Sequence, residues 1–228
     1  MSSTAAPPPR AHRRSPYPFI LLALYAVLWL ALAIAPLDRH DWLLENALPA
    51  IAIPLLCVTY RRLQFSAFAY SAVFLFMVLH AVGAHYTYAM VPYDKWFKAL
   101  TGTTLNEVLH LHRNHFDRLV HFLYGLLWFP LVWEMFAAKV SARGFWRYLV
   151  PTVFLMSHAG IYEVIEWAAA AFFGGDLGVA YLGTQGDEWD AQKDMALAML
   201  GTLSALLMLL CYQTLRRRPG RRDHRYAR

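Results

Sequence analysis

Residues 65–84 read FSAFAYSAVFLFMVLHAVGA. No Asp, Glu, Lys or Arg interrupts them, and Arg61 and Arg62 stand just before. At 1.5 Å per residue, a helix over this stretch rises about 30 Å, which is the thickness of bilayer hydrocarbon. A helix on the surface of a soluble domain would carry a polar face, and this one has none. The stretch reads as a transmembrane helix, and that reading decides the fold.

Working outward, the same kind of run recurs. Apolar spans are predicted over roughly Tyr17–Ala35, Leu43–Tyr60, Phe65–Ala84, Phe116–Ala137, Phe145–Phe173 and Ala191–Leu215. The fifth is long enough to tilt or to project beyond the bilayer. Pro49, Pro54, Pro130 and Pro151 fall within these spans and are expected to kink them, which membrane helices tolerate. A loop running through Val91–His112 separates the third span from the fourth. Hydrophobic residues make up 58% of the chain and charged residues 16%, against about a quarter charged in a soluble domain. The expected fold is an all-α membrane bundle of six transmembrane helices over 17–215. A disordered basic arm over 1–16 precedes it, and a basic tail over 216–228 follows.

Lys and Arg in the loops set the orientation. With the N-terminus inside, the inner segments hold Arg10, Arg13, Arg14, Arg61, Arg62, Lys139, Arg143, Arg147 and the seven arginines after Leu215, fifteen of the chain's 21 basic residues. Both termini are therefore expected in the cytoplasm. Arg10, Arg13 and Arg14, followed by an apolar run ending Ala33-Ile34-Ala35, resemble a signal peptide. The run is longer than such signals, however, and Pro36 occupies the position after the cut. The net charge of +6 is concentrated in the tail that directly follows an apolar span. Anionic lipid is thus its expected partner, and with no recognition motif no nucleic acid is expected. Cys57 and Cys211 lie inside apolar runs and read as buried, inert thiols.

Charged groups inside a span cost about 2.5–3.5 kcal/mol each on insertion scales, so they normally face the bundle interior. Here they gather at one depth, near the expected outer face. The third span ends with His80, Gly83 and His85, and the fourth begins with Asn114, His115, Asp117, Arg118 and His121. Asp117 and His121, four apart, share one helical face with Tyr124 and Trp128. The fifth span carries His158, Tyr162, Glu163 and Glu166 within about 140° of arc. The sixth begins near Asp187, Asp190, Lys193 and Asp194, and its stripe continues through Ala198 and Gly201, small enough for close helix contact. The inner halves of these helices carry almost nothing ionisable.

Glu163 and Glu166 are the most demanding pair. Two carboxylates one turn apart in an apolar helix need a cation, a shared proton or a bonded Arg or His. Arg118 is the favoured counter-ion, since it is permanently charged and binds carboxylates bidentately. Lys193, His121, His85 and a divalent metal remain open alternatives. The catalytic candidates are Asp117, His121, Glu163, Glu166 and Asp194. The substrate-binding candidates are His85, Arg118, Asp187, Asp190 and Lys193. Simpler roles stand beside these: a helix cap for Asp187, satisfied core histidines at His80 and His158, and interface anchors at Tyr86, Tyr88, Trp96 and Trp189. No HExxH, GxSxG or phosphate-cradling glycine loop is present.

The stretches His80–Tyr88, Asn114–Phe122, Glu163–Trp167 and Gly186–Met195 resemble the YjdF-type bacterial inner-membrane proteins over about 65–215. This resemblance implies a multi-pass protein of the bacterial inner membrane and names no reaction. A looser similarity is to VanZ-like membrane proteins, associated with glycopeptide tolerance. Their Asp-Lys-x-x-His-Phe segment looks like Asp117–Phe122, whereas the Asn of their last-helix pattern is Ala198 here. Three function classes follow: an enzyme acting on a lipid or lipid-linked substrate near the outer face, a proton-coupled transporter, and a non-catalytic membrane partner. Depth of polarity separates them, because a transporter needs polar access from both sides.

Overall fold

A computed structural model describes residues 15–216. The basic arm and basic tail lie outside the described residues, apart from Ser15, Pro16 and Arg216. Every regular element among the described residues is helical: α1 Tyr17–Leu32, α2 Arg39–Glu45, α3 Ala47–Thr59, α4 Ala67–His85, α5 Tyr93–Thr101, α6 Leu105–Leu109, α7 Phe116–Lys139, α8 Trp146–Phe173, α9 Gly175–Leu182 and α10 Asp190–Arg216. Five segments are long and apolar enough to cross a membrane: Arg39–Thr59 (α2 with α3), α4, α7, α8 and α10. The first apolar helix, α1, is shorter, at 16 residues.

Local chemistry explains the boundaries. The second apolar run divides at Asn46, whose Nδ2 donates to the Trp42 carbonyl at 2.7 Å and whose Oδ1 accepts from Trp29 Nε1 at 2.6 Å. Asp38 caps α2 by accepting from the backbone N–H of His40 and Asp41. Ser66 caps α4, and Glu134 of α7 accepts from both the Ser66 N–H and its hydroxyl, at 2.7 and 2.6 Å. The long loop is not structureless. It contains α5 and α6, the latter opened by a capping box between Thr104 and Glu107.

The tightest seam joins α7 to α10. A Cβ on Gly125 would strike the Ala198 carbonyl oxygen and lie 2.6 Å from Thr202 N; one on Gly201 would strike the Phe122 carbonyl oxygen and lie 3.0 Å from Leu126 N. The two glycines let the backbones touch, as the small residues in the sixth span suggest. Helix α1 belongs to the core: Tyr25 packs with Ala69, Val73, Met77 and Ala81 of α4 and Leu131 of α7. Phe129, Val132, Leu155 and Ala205 knit α7, α8 and α10.

The outer surface is apolar, the reverse of a soluble domain. Val27, Ile51, Val58, Phe68, Leu207 and Met208 are all exposed, as lipid-facing residues are. Cys57 and Cys211 are exposed as well, contrary to the expectation of buried thiols. Cys57 borders a groove between α1, α3 and α4 that Tyr25, Tyr60 and Tyr70 also line.

The helices α7, α8 and α10 pack closely together, and α4 closes against α7. Helix α3 stands off from α7 and α8. One face of α3, with Ile53 and Leu56, leans on the α1–α4 core, while Leu48, Ile51, Ala52 and Leu55 border an open cavity.

Candidate functional site

The end of the bundle where α4 and α8 finish and α7 and α10 begin carries two polar layers. The outer layer is an ion-pair clamp. Arg118 Nη2 bonds the carboxylates of Asp187 and Asp190, the latter at 3.0 Å. Arg113 Nη2 lies 2.9 Å from Asp190 and its Nη1 donates to the Thr184 carbonyl at 2.7 Å. Lys193 Nζ donates to Asp187 Oδ1 at 2.8 Å. Asn114 and Gln185 exchange amide and backbone hydrogen bonds at 3.1 and 3.0 Å. The clamp ties the segment before α10 to the start of α7. The Lys193 ammonium, the Trp189 N–H and Arg118 hold the Asp187 carboxyl well below the usual carboxylate range. His115, in the N-cap of α7, is pushed below its ordinary value by burial and by the neighbouring Arg118 and Arg113.

The inner layer sits one turn deeper. His121 Nε2 is 3.5 Å from Asp117 Oδ1, and Nδ1 is 3.6 Å from Glu163 Oε1. Ligand atoms of Asp117, His121 and Asp194 lie within 4.8 Å of one another, as do those of His121, Glu163 and Glu166. The α7–α10 glycine seam brings Asp194 up to Asp117 and His121, and the i, i+3 spacing puts Glu163 and Glu166 on the face of α8 that meets them. Asp194 is 3% exposed and Glu163 9%; Asp194 Oδ1 and Glu163 Oε1 have no hydrogen-bond partner among the described residues.

Helix α2 and the turn after α4 add groups that sequence reasoning missed. Asp41 and Glu45, four apart in α2, are both buried. Tyr162 lies beside Glu45, Glu166 and Tyr181. His80 is bonded at both ring nitrogens: Nε2 donates to the Glu45 carbonyl at 3.0 Å and Nδ1 accepts from the Tyr88 hydroxyl. His80 is thus a satisfied core histidine, as one reading of the sequence holds. Tyr88 is not an interface anchor: it is buried. Thr87 and Tyr88 both take positive φ, 55° and 46°, so the chain doubles back. The Tyr88 ring then lies where a Cβ on Gly83 would be, 2.6 Å from its Cζ. Two non-glycine residues in the left-handed region are a local strain held by the surroundings.

Below the inner layer lies a cavity of about 540 Å³ between α3, α4, α7 and α8. At its polar end stand Asp117, His121, His80, Tyr88 and Tyr162; along its length its walls are almost wholly apolar, including Trp128, Leu131, Met135 and Leu155. From Asp117 to Met135 along α7 the slot extends about 27 Å at 1.5 Å per residue. Ile51 and Leu55 on one wall and Phe154 on the other are also exposed on the outer surface, so the slot opens sideways between α3 and α8.

Of the predicted site residues, the structure gathers Asp117, His121, Glu163, Glu166 and Asp194 in the inner layer and Arg118, Asp187, Asp190 and Lys193 in the clamp. His85 sits apart, its Nδ1 2.7 Å from the Leu32 carbonyl and its ring edge-on to Tyr86. The favoured pairing of Arg118 with the two glutamates is corrected. Arg118 lies in the first turn of α7 and reaches the segment before α10, where Asp187 and Asp190 meet it; Glu163 and Glu166 lie deeper, against His121. Arg113, in the loop just before α7 and outside the predicted site, is a full member of the clamp.

An apolar helical bundle with one polar pocket buried near one end defines a multi-pass membrane protein. The chain belongs to the family described as "Predicted membrane protein (DUF2238)", whose model matches residues 17–215. It is similar to the "Inner membrane protein YjdF" of Escherichia coli, 36% identical over 197 residues, covering 84% of this chain and 90% of that protein. No solved structure matches. The chain is accordingly a multi-pass protein of the bacterial inner membrane.

Proposed function

We propose that the protein acts on a lipid or lipid-linked substrate whose chain occupies the slot and whose polar head meets the His121 layer. The cavity of about 540 Å³ carries this reading: apolar along its length, polar at one end and open sideways to the membrane. Such a shape fits one extended hydrocarbon chain with a head group. At the head, Asp117 and Glu163 flank the two nitrogens of His121. An imidazole and carboxylates at this depth supply the groups that acid–base or metal-assisted chemistry on a head group needs. A proton-coupled transporter would need a polar path to the opposite end of the bundle, and beyond Tyr124 and His158 the walls of the slot are apolar almost throughout.

The bundle is proposed to cross the membrane six times, α1 included, with both termini and the basic tail on the cytoplasmic side beside anionic lipid. The polar layers then face the periplasm. The division of basic residues supports this orientation. In a background lacking Cys57 and Cys211, a cysteine at Lys98 should react with an impermeant thiol reagent in intact cells and one at Ser141 should not. The reverse pattern overturns the orientation.

The activity is tested by comparing lipid and lipid-linked pools in cells that lack the protein and are resupplied with wild type or with His121→Gln. One species should change between the two strains at equal protein levels. Identical pools in all three strains would exclude the reaction.

A further inference from the structure

We infer that Asp117, His121 and Asp194 form a binding site for one divalent first-row metal ion, of the zinc or manganese class, at the head of the slot. This inference concerns the same pocket as the proposed function but does not depend on the slot holding a lipid.

Charge is the first argument. Asp117, Glu163, Glu166 and Asp194 converge on His121 in the interior of the bundle. Among the described residues, His121 is the one basic side chain within 4.0 Å of any of them. The nearby guanidinium and ammonium groups, on Arg113, Arg118 and Lys193, bond Asp187 and Asp190 instead. Carboxylates crowded in this way in a low dielectric require a cation or protons.

Geometry is the second argument. Two ligands each about 2.1 Å from one ion are about 3–3.5 Å apart, and His121 Nε2 and Asp117 Oδ1 are already 3.5 Å apart. Asp194 completes the set within 4.8 Å, a gap that small side-chain rotations close. Its Oδ1 is buried, unpartnered among the described residues, and belongs to a residue only 3% exposed. The other ring nitrogen of His121 faces Glu163 Oε1 at 3.6 Å, also buried and unpartnered. A small rotation would close that gap to the arrangement of a metal-bound histidine whose second nitrogen donates to a carboxylate, which fixes the ring and raises its basicity. Glu163 is therefore a positioning residue, and the imidazole-plus-carboxylate donor set selects zinc or manganese over softer ions. Asp117 and His121 also line the slot, so the remaining coordination positions open toward it, as they do in sites that act on a substrate.

The test uses the full chain, purified in detergent with a tag that contains no histidine, stripped with chelator, and titrated separately with Zn²⁺ and Mn²⁺. Bound metal, melting temperature and copurifying lipid are read on the same samples. Wild type should take up one equivalent of at least one of the two ions, with a rise in melting temperature. Asp117→Asn and Asp194→Asn should each weaken binding at least tenfold, Glu163→Gln about 10–100-fold, and the exposed Glu107→Gln not at all. If stripped wild type, still folded, binds neither ion, the inference is wrong. It is equally wrong if Asp117→Asn and Asp194→Asn bind as tightly as wild type. Lipid without metal refutes this inference alone; metal without lipid refutes the proposed substrate alone.

Discussion

Substituting Gly201 by Ala adds one methyl group at the point where α10 crosses α7. The new Cβ would strike the Phe122 carbonyl oxygen and sit 2.9 Å from its carbon and 3.0 Å from Leu126 N. All three are backbone atoms, so no side chain can turn aside and the helices must separate. Overpacking of this kind costs about 1–3 kcal/mol, and a rigid obstacle puts it at the upper end. For a chain of this length about 3 kcal/mol corresponds to a fall of about 6–12 °C in melting temperature. Scanning fluorimetry on the intrinsic signal of the eight tryptophans reads it directly. Gly125→Ala meets the Ala198 carbonyl and Thr202 in the same seam, so it should cost a similar amount. The double variant should lose less than the sum, because once the seam is open the second methyl meets little. Gly160→Ala is the control: its Cβ would lie 3.7 Å from Met195 Sδ, an ordinary contact, and helix propensity favours alanine. A Gly201→Ala protein that melts with wild type, alongside an unchanged Gly160→Ala, would refute the close crossing that carries Asp194 to His121.

Other perturbations test other parts. Gly83→Ala would drive a Cβ into the Tyr88 ring, releasing the Tyr88 hydroxyl from the buried His80. A loss of about 1–3 kcal/mol is expected in chemical or thermal unfolding, and Tyr88→Phe should show the hydrogen-bond part of it alone. Arg118→Met leaves Asp190, 3% exposed, with Arg113 as its remaining partner. A loss of about 1.5–3 kcal/mol is expected, partly recovered by adding Asp187→Asn; no recovery would mean that the clamp does not act as a unit. The clamp should also resist mild acid. Asp187 is held below its unfolded value near pH 4 by Lys193, the Trp189 N–H and Arg118. Its stabilising contribution is therefore complete above about pH 4 and lost only as pH falls further, through the lowered folded value. A midpoint for loss of clamp hydrogen-exchange protection at pH 5 or above would contradict this.

Much of the fold was legible because a membrane span is a long apolar run with few charges. The runs at 65–84, 116–137 and 191–215 return as α4, α7 and α10 with ends shifted by a few residues. The turn at Asn46 was not legible, because its side chain is held by a tertiary bond from Trp29 as well as by a local one to the Trp42 carbonyl. The His121 layer was readable from helical spacing and common depth. The partner of Arg118 was not, since the spacing that puts Arg118 near several acids does not say which one the turn before α10 delivers. Tyr88 looked like an interface aromatic because nothing in its composition signals two left-handed residues in succession. The one available signal was Gly83, five residues earlier, small enough to admit a ring. The slot was invisible, since a gap between α3 and its neighbours leaves no mark on an apolar sequence.

The slot is proposed to hold one lipid chain with its head at His121. Native mass spectrometry of the protein released from detergent tests it, comparing wild type with Ala52→Trp, which fills the slot from the α3 wall. Wild type should retain one lipid per chain and an equally stable Ala52→Trp none. A lipid-free wild type, or equal retention by the two proteins, would contradict it.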